Sequence, residues 1–223
     1  MRSRPVVTID GPSGSGKTTV SKRLAAAAGM VRVDTGAMYR AVALAAHRCG
    51  VPWGDPGRLG RVAREMDLSF RTVAGAQRVF LSGEDVSDAI REPEMSMGAS
   101  AVSVHAPVRE ALVAKQREMG RDGGVVLEGR DIGTVVFPDA EAKFFLDAAA
   151  AVRARRRQLE FPPPGAQSFE EVLRDVLRRD VQDSTREHSP LRVADDAVYI
   201  DSTTLTVDEV VARMLGLLPG VPR

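Results

Sequence analysis

Residues 11–18, Gly-Pro-Ser-Gly-Ser-Gly-Lys-Thr, fit the phosphate-loop pattern GxxxxGK[ST]. Each residue type has a physical reason. Gly11, Gly14 and Gly16 admit backbone conformations closed to other residues, so successive N–H groups can turn inward around an anion with no Cβ in the way. A helix beginning at Lys17 would add its unsatisfied N–H groups and its positive dipole end. Lys17 supplies a charge for the β and γ phosphates, and Thr18 a hydroxyl for Mg²⁺. The implied ligand is ATP with Mg²⁺, bound by Gly11, Pro12, Ser13, Gly14, Ser15, Gly16, Lys17, Thr18 and the following Thr19. Alone, such a loop admits kinases, GTPases, motor ATPases and nucleotide-gated binding modules. The guanine-reading Asn-Lys-x-Asp tetrapeptide is missing, because the chain has no asparagine, and a switch GTPase is disfavoured.

Further charged residues fall where a second anion would need them. The stretch from Asp34 to Arg40 and the run Glu128-Gly129-Arg130-Asp131 each follow an apolar, strand-like segment. In doubly wound sheets the carboxyl ends of the strands bind ligands, so both stretches would share an edge with the phosphate loop. Arg40 and Arg130 can then meet an acceptor; surface ion pairing is the alternative. Arg179, Asp183 and Arg186 are spaced to share one helix face if the helix runs that far. Arg153, Arg156 and Arg157 put like charges at helical spacing, an arrangement that phosphates would relieve. His47, His105 and His188 show no metal-binding spacing and read as structural or surface residues, and Cys49 as a small apolar one.

Five short β-branched or apolar runs, at residues 5–9, 30–33, 124–127, 143–146 and 197–200, alternate with helical patterns. That alternation predicts an α/β fold with a doubly wound parallel five-stranded sheet flanked by helices. Helices are expected over 17–28, 36–47, 108–119 and 168–181, and a final one opens on the Thr206–Glu209 capping box and ends near residue 218. Between residues 58 and 105 the pattern changes. Runs at 68–73 and 78–81 around Ala74-Gly75-Ala76 read as an antiparallel hairpin, and hence as a small inserted subdomain. The core then comprises 1–57 and 106–223, while Pro162-Pro163-Pro164 marks a loop.

The chain has 31 Lys+Arg against 30 Asp+Glu, a balance that gives no basic field for nucleic acid or membrane, so an anion site must be local. One cysteine fits a reducing compartment, and no apolar run is long enough to span a bilayer. A cytoplasmic, monomeric protein acting on small molecules is expected.

Taken together, these blocks resemble the bacterial cytidylate kinases, nucleoside monophosphate kinases of the P-loop class. The match runs in order along essentially the whole chain: Ile9 to Lys17, Asp34 to Arg40, Glu128 through Ala140, Arg179-Asp180 through Asp183 to Arg186, and Asp195 through Thr203. The resemblance implies a P-loop core, a monophosphate-binding insertion over 58–105 and a short lid over about 150–167. It implies ATP-dependent phosphorylation of CMP and dCMP. Cytosine would be read by Ser100, Arg109 and Asp131; the acceptor phosphate held by Thr35, Arg40, Arg130 and Arg186; the sugar by Arg179 and Asp183. Arg153 and Arg157 would be lid arginines, with Arg156 adjacent, and Lys17, Arg130, Arg186, Arg153 and Arg157 the catalytic set.

Chemistry agrees with that assignment on one point. Cytosine offers an amine donor where uracil offers a carbonyl acceptor, so a carboxylate such as Asp131 favours the first. The acceptor phosphate is already a dianion at neutral pH, and no general base is required. Kinases for UMP, AMP or shikimate, a non-catalytic nucleotide-gated module, and a nucleic-acid kinase or ATPase are the rival readings.

Overall fold

The computed structural model describes residues 2–74, 76–160 and 167–219, and the chain divides into two compact units: Met1–Val33 with Gly120–Arg223, and Asp34–Met119. The Pro162–Pro164 loop and Gly75 of the hairpin turn lie outside the described residues.

The first unit is built on a parallel sheet of five strands in the order β2-β6-β1-β7-β8. These are β1 (Val6–Asp10), β2 (Val31–Asp34), β6 (Val125–Gly129), β7 (Ala142–Asp147) and β8 (Val198–Asp201). β1 is central, pairing in parallel with β6 and with β7, and both it and β6 are buried at every position. Strands covered on both faces are continuously apolar, which is why these runs do not alternate. The chain leaves β1 for β2 on one side and crosses later to β7 and β8 on the other, so the strand order reverses about β1. Crevices at such reversals are where open α/β sheets take ligands.

Helix α1 (Lys17–Ala27) and helix α8 (Val207–Leu215) pack on one sheet face, with Leu24, Phe144, Leu146, Ile200 and Met214 in a common core. α8 carries the expected capping box, Thr206 with Glu209. Helices α6 (Ala150–Glu160) and α7 (Phe169–Thr185) pack together through Ala154, Val172 and Val176. α7 runs four residues past its expected end, and opens on a second capping box, Ser168 with Glu171, a signal present in the sequence. α1 differs: its N-cap is Gly16, in the left-handed region and with no side chain to accept from the first turn.

The second unit holds helices α2 (Thr35–Arg48), α3 (Pro56–Glu65), α4 (Pro93–Val102) and α5 (Ala106–Gly120, entering the first unit only at its last residue), and a small antiparallel sheet. Strands β3 (Leu68–Val73) and β4 (Ala76–Leu81) form the expected hairpin, in the register Leu68 to Leu81, and a two-residue strand β5 (Glu84–Asp85) extends it. α2 packs on α4 so closely that a Cβ on Gly98 would lie 2.6 Å from the Trp53 ring and 2.7 Å from Ala43. Cys49 follows α2 and is exposed, contrary to the apolar role expected of it, because it falls just after the helix turns out of the core.

Candidate active site

The phosphate loop joins β1 to α1, and its backbone is the first determinant of the site. Gly11 and Gly14 have φ of 150° and 78°; a Cβ on Gly11 would lie 2.0 Å from the Leu146 carbonyl oxygen. No other residue fits there. The loop is also held from α6. Arg153, only 5% exposed, donates to the carbonyl oxygens of Ser13 (3.2 Å) and Ala148 (2.8 Å), and it grips both carboxylate oxygens of Asp180 at 3.0 and 2.6 Å. Arg156 donates to the Ser15 carbonyl at 3.2 Å and to Ser202 at 3.1 and 2.7 Å. Carbonyls tied outward in this way leave the loop's N–H groups to face the other side, as an anion nest requires. The like charges of Arg153, Arg156 and Arg157 are thus relieved largely by protein groups, Glu160 accepting from Arg157 at 2.7 Å.

Lys17 is buried, and its ammonium donates to the Pro12 carbonyl at 2.6 Å. Burial, and then the neighbouring Arg130 charge, push its pKa down to about 7, against the pull of Glu128, Asp183 and Asp10. A buried cation held beside another cation has an unmet demand for negative charge. Arg179 is in a similar position: burial, Arg157 and Arg130 all lower its pKa. Thr18 stands exposed at the start of α1 and donates to Glu128 Oε2 at 3.1 Å. That donor arrangement fits Mg²⁺. With its proton committed to a carboxylate, the hydroxyl keeps lone pairs for a hard cation, and such a cation takes few protein ligands when phosphates supply the rest.

The end of β6 carries the other charged group. Arg130 Nε donates to Asp183 Oδ2 at 2.8 Å; Arg186 lies 3.8 Å from Asp183 and 3.7 Å from Asp131 Oδ1. Burial, the largest single influence, would raise the Asp183 pKa, but Arg130, Arg186 and Lys17 together outweigh it and hold the carboxyl below its usual range. Asp10, the last residue of β1, fixes the start of the wide turn Ile132–Val136 by accepting from Ile132 N at 2.9 Å and Gly133 N at 2.7 Å. Burial raises the Asp10 pKa to about 6 despite those bonds. Arg186 does not extend the α7 face as its spacing suggested: it caps the helix with φ −60° and ψ 142°, and its side chain turns back to the Ser189 carbonyl and to Asp183. The helix ends because Arg186 leaves the helical region, yet Arg130, Asp131, Asp183 and Arg186 still form one network.

In the second unit, Asp34 caps α2 by accepting from Ala37 N at 2.9 Å, and its other oxygen lies 3.2 Å from Arg40. Thr35 is buried in the first turn of α2. Arg109, on α5 and 3% exposed, places its guanidinium 5.6 Å above the Tyr39 ring and donates to the Ser103 carbonyl at 3.2 Å. Ser100, on α4, offers its carbonyl to the Ser103 hydroxyl at 2.9 Å. His105 sits 2.9 Å from the Trp53 carbonyl, in a structural role.

Sequence reasoning did not single out Asp10, Arg32 or Asp180. Asp10 and Asp180 lie inside recognised blocks; the available signal was an acid closing an apolar strand-like run for Asp10 and an acid directly after two arginines for Asp180. Arg32 had none. Among the described residues no helix is long and apolar enough to cross a membrane, and no cluster of His, Cys, Asp and Glu could hold a metal without further ligands.

The profile of the cytidylate kinase family matches residues 7–219. A cytidylate kinase of Geobacter sp. (strain M21) is 52% identical over 210 residues, covering 94% of this chain and 90% of that protein. The cytidylate kinase of Caldicellulosiruptor bescii is 47% identical over 212 residues, 95% of this chain and 94% of its own. Among solved structures, a shikimate kinase from Bacteroides thetaiotaomicron superposes with a TM-score of 0.51 at 13% identity, covering 96% of this chain and 97% of that one, a likeness of fold alone.

Proposed function

This chain belongs to the cytidylate kinase family, and from that premise we propose that it transfers the γ-phosphoryl group of ATP to CMP and dCMP, yielding CDP and dCDP. The observation that carries the reading is a pair of cations, buried Lys17 and half-buried Arg179, each with its pKa lowered by burial and by the neighbouring charge of Arg130, and each stabilised when phosphates enter. Mg²⁺, when bound through Thr18, supplies charge neutralisation on the β and γ phosphates. The loop N–H groups and Lys17 hold the donor. Lys17, Arg130 and Arg186 stabilise charge on the transferring group, a role the family resemblance extends to the lid arginines Arg157 and Arg153, the latter holding the loop carbonyls and Asp180 in this structure, while Arg40, Arg130 and Arg186, with Thr35, take the acceptor phosphate. The acceptor oxygen is already deprotonated at neutral pH, so these residues need only position and neutralise.

The remaining assignments are proposals from the family resemblance: Ser100, Arg109 and Asp131 on cytosine, Arg179 and Asp183 on the sugar, residues 58–105 as the monophosphate-binding insertion within a core of 1–57 and 106–223, and about 150–167 as lid. A monomer working in the cytoplasm, with no nucleic acid or membrane partner, completes the reading. ADP formation measured in parallel with CMP, dCMP, UMP, AMP, GMP and shikimate tests it. CMP and dCMP should lead by a wide margin; a leading purine nucleotide or shikimate would overturn the assignment.

A further inference from the structure

We propose that Arg32, on the edge strand β2, is a positioning residue that aims the Thr18 hydroxyl at Mg²⁺ through Glu128; the inference rests on the kinase reading above. Arg32 is an arginine in a strand of four residues with no motif about it. Its side chain is 14% exposed and that of Glu128 4%, so the pair is withdrawn from solvent. Arg32 Nε donates to Glu128 Oε1 at 3.1 Å and to Ser21 Oγ at 2.8 Å, and Arg32 Nη2 also bonds Oε1. These two hydrogen bonds to Glu128 fall on one carboxylate oxygen. The other, Oε2, is the acceptor for Thr18 Oγ1.

This division of the carboxylate has a chemical consequence. A glutamate side chain has three torsions and would sample several rotamers at the mouth of a cationic site, where Lys17 also attracts it. The planar fork of Arg32, itself steadied by Ser21 on α1, selects one of them. In that rotamer Oε2 accepts a hydrogen bond from the Thr18 hydroxyl and so directs the hydroxyl lone pairs away from the carboxylate. Arg32 touches neither nucleotide nor metal in this scheme. It acts as an outer partner of a ligand, a role whose loss typically costs ten- to a hundredfold in metal affinity.

The test compares wild type, Arg32→Met, Thr18→Val and the double variant by calorimetric ATP binding with and without Mg²⁺, together with the KM for CMP. In Arg32→Met the Mg²⁺ concentration giving half of the metal-dependent gain in ATP affinity should rise about tenfold. Metal-free ATP affinity and the KM for CMP should stay within about twofold, since Lys17 and the loop are untouched. In the Thr18→Val background, Arg32→Met should add nothing. An unchanged Mg²⁺ response, or effects that simply add, would show Arg32 to be structural and overturn the proposal. If wild type itself binds ATP with no response to Mg²⁺, the kinase reading falls and takes the role of Arg32 with it, an outcome distinct from a failure confined to the variant. Should Arg32→Met not fold, Arg32→Lys, which keeps the charge and loses the fork, should shift the Mg²⁺ requirement about threefold; no shift overturns the role.

Discussion

The phosphate loop and the second unit present positive groups in opposite ways. In the loop the positive character comes from the backbone and from Lys17, a cation that burial and Arg130 have brought close to losing its proton. In the second unit it comes from guanidiniums, Arg40 beside Asp34 and Arg109 above Tyr39, each already provided with a partner. Loop residues are consecutive and their geometry is dictated by glycine; Thr35, Arg40, Ser100 and Arg109 come from three helices and depend on how those helices pack. A site made by backbone should tolerate poor packing and be intolerant of local substitution. A site made by side chains on packed helices should behave the other way.

Substitutions can break that contrast, and Lys17→Met should have the largest effect. Turnover should drop about a thousandfold, the scale set by removing a donor aimed at transition-state charge. The same change should stabilise the fold. The folded pKa of Lys17, about 7, lies below its ordinary 10.5, so the wild-type chain carries a full penalty below pH 7 that fades as pH rises towards 10.5. Thermal melts should therefore show the variant above wild type at pH 7 and the gap closing by pH 10. Asp131→Ala comes next: the CMP over UMP ratio of kcat/KM should fall about a hundredfold, and an unchanged ratio would remove Asp131 from base recognition.

A matched pair then sets the two regions against each other. Arg153→Met frees Asp180 and the Ser13 carbonyl, and should raise the KM for ATP about tenfold while costing about 2–3 kcal/mol in denaturant unfolding, with the KM for CMP little changed. Gly98→Ala forces a Cβ into Trp53 and Ala43, and should cost about 1–3 kcal/mol while raising the KM for CMP and sparing that for ATP. If both variants moved the same KM, the separation of the two regions would be false. The smallest effect belongs to Arg48→Ala, which removes an exposed pair with Glu84 and should leave the denaturant midpoint almost unmoved, any difference fading with salt.

The contrast also explains what could be read from sequence. Every core strand was legible, since buried parallel strands are short continuous apolar runs, and the loop was legible because its chemistry occupies adjacent positions. Two helices of the second unit were not. α3 begins at Asp55-Pro56 but contains Gly57 and Gly60, which read as turn residues; α4 is Met, Ser, Gly and Ala from Met95 to Ala101 and has no charged face there to mark its period. α6 was obscured by its own arginines, whose repulsion argues against a helix until Asp180 and the loop carbonyls are placed beside it. Arg32 could not be found at all: on an edge strand an arginine reads as solvated, and only the strand order brings β2 next to β6 and Glu128.

One detail of α1 has a consequence for the whole chain. Its first turn opens on Gly16, which has no side-chain oxygen to offer, and α4 too opens without a side-chain cap, while α2, α3, α7 and α8 all open on a side chain that accepts from the turn. The helix is unfinished as encoded, and the nucleoside triphosphate is the piece that completes it. Ligand concentration then becomes a structural variable. Apparent thermal stability should climb with the logarithm of free nucleotide once the dissociation constant is passed, so that the enzyme is most robust when phosphoryl donor is abundant.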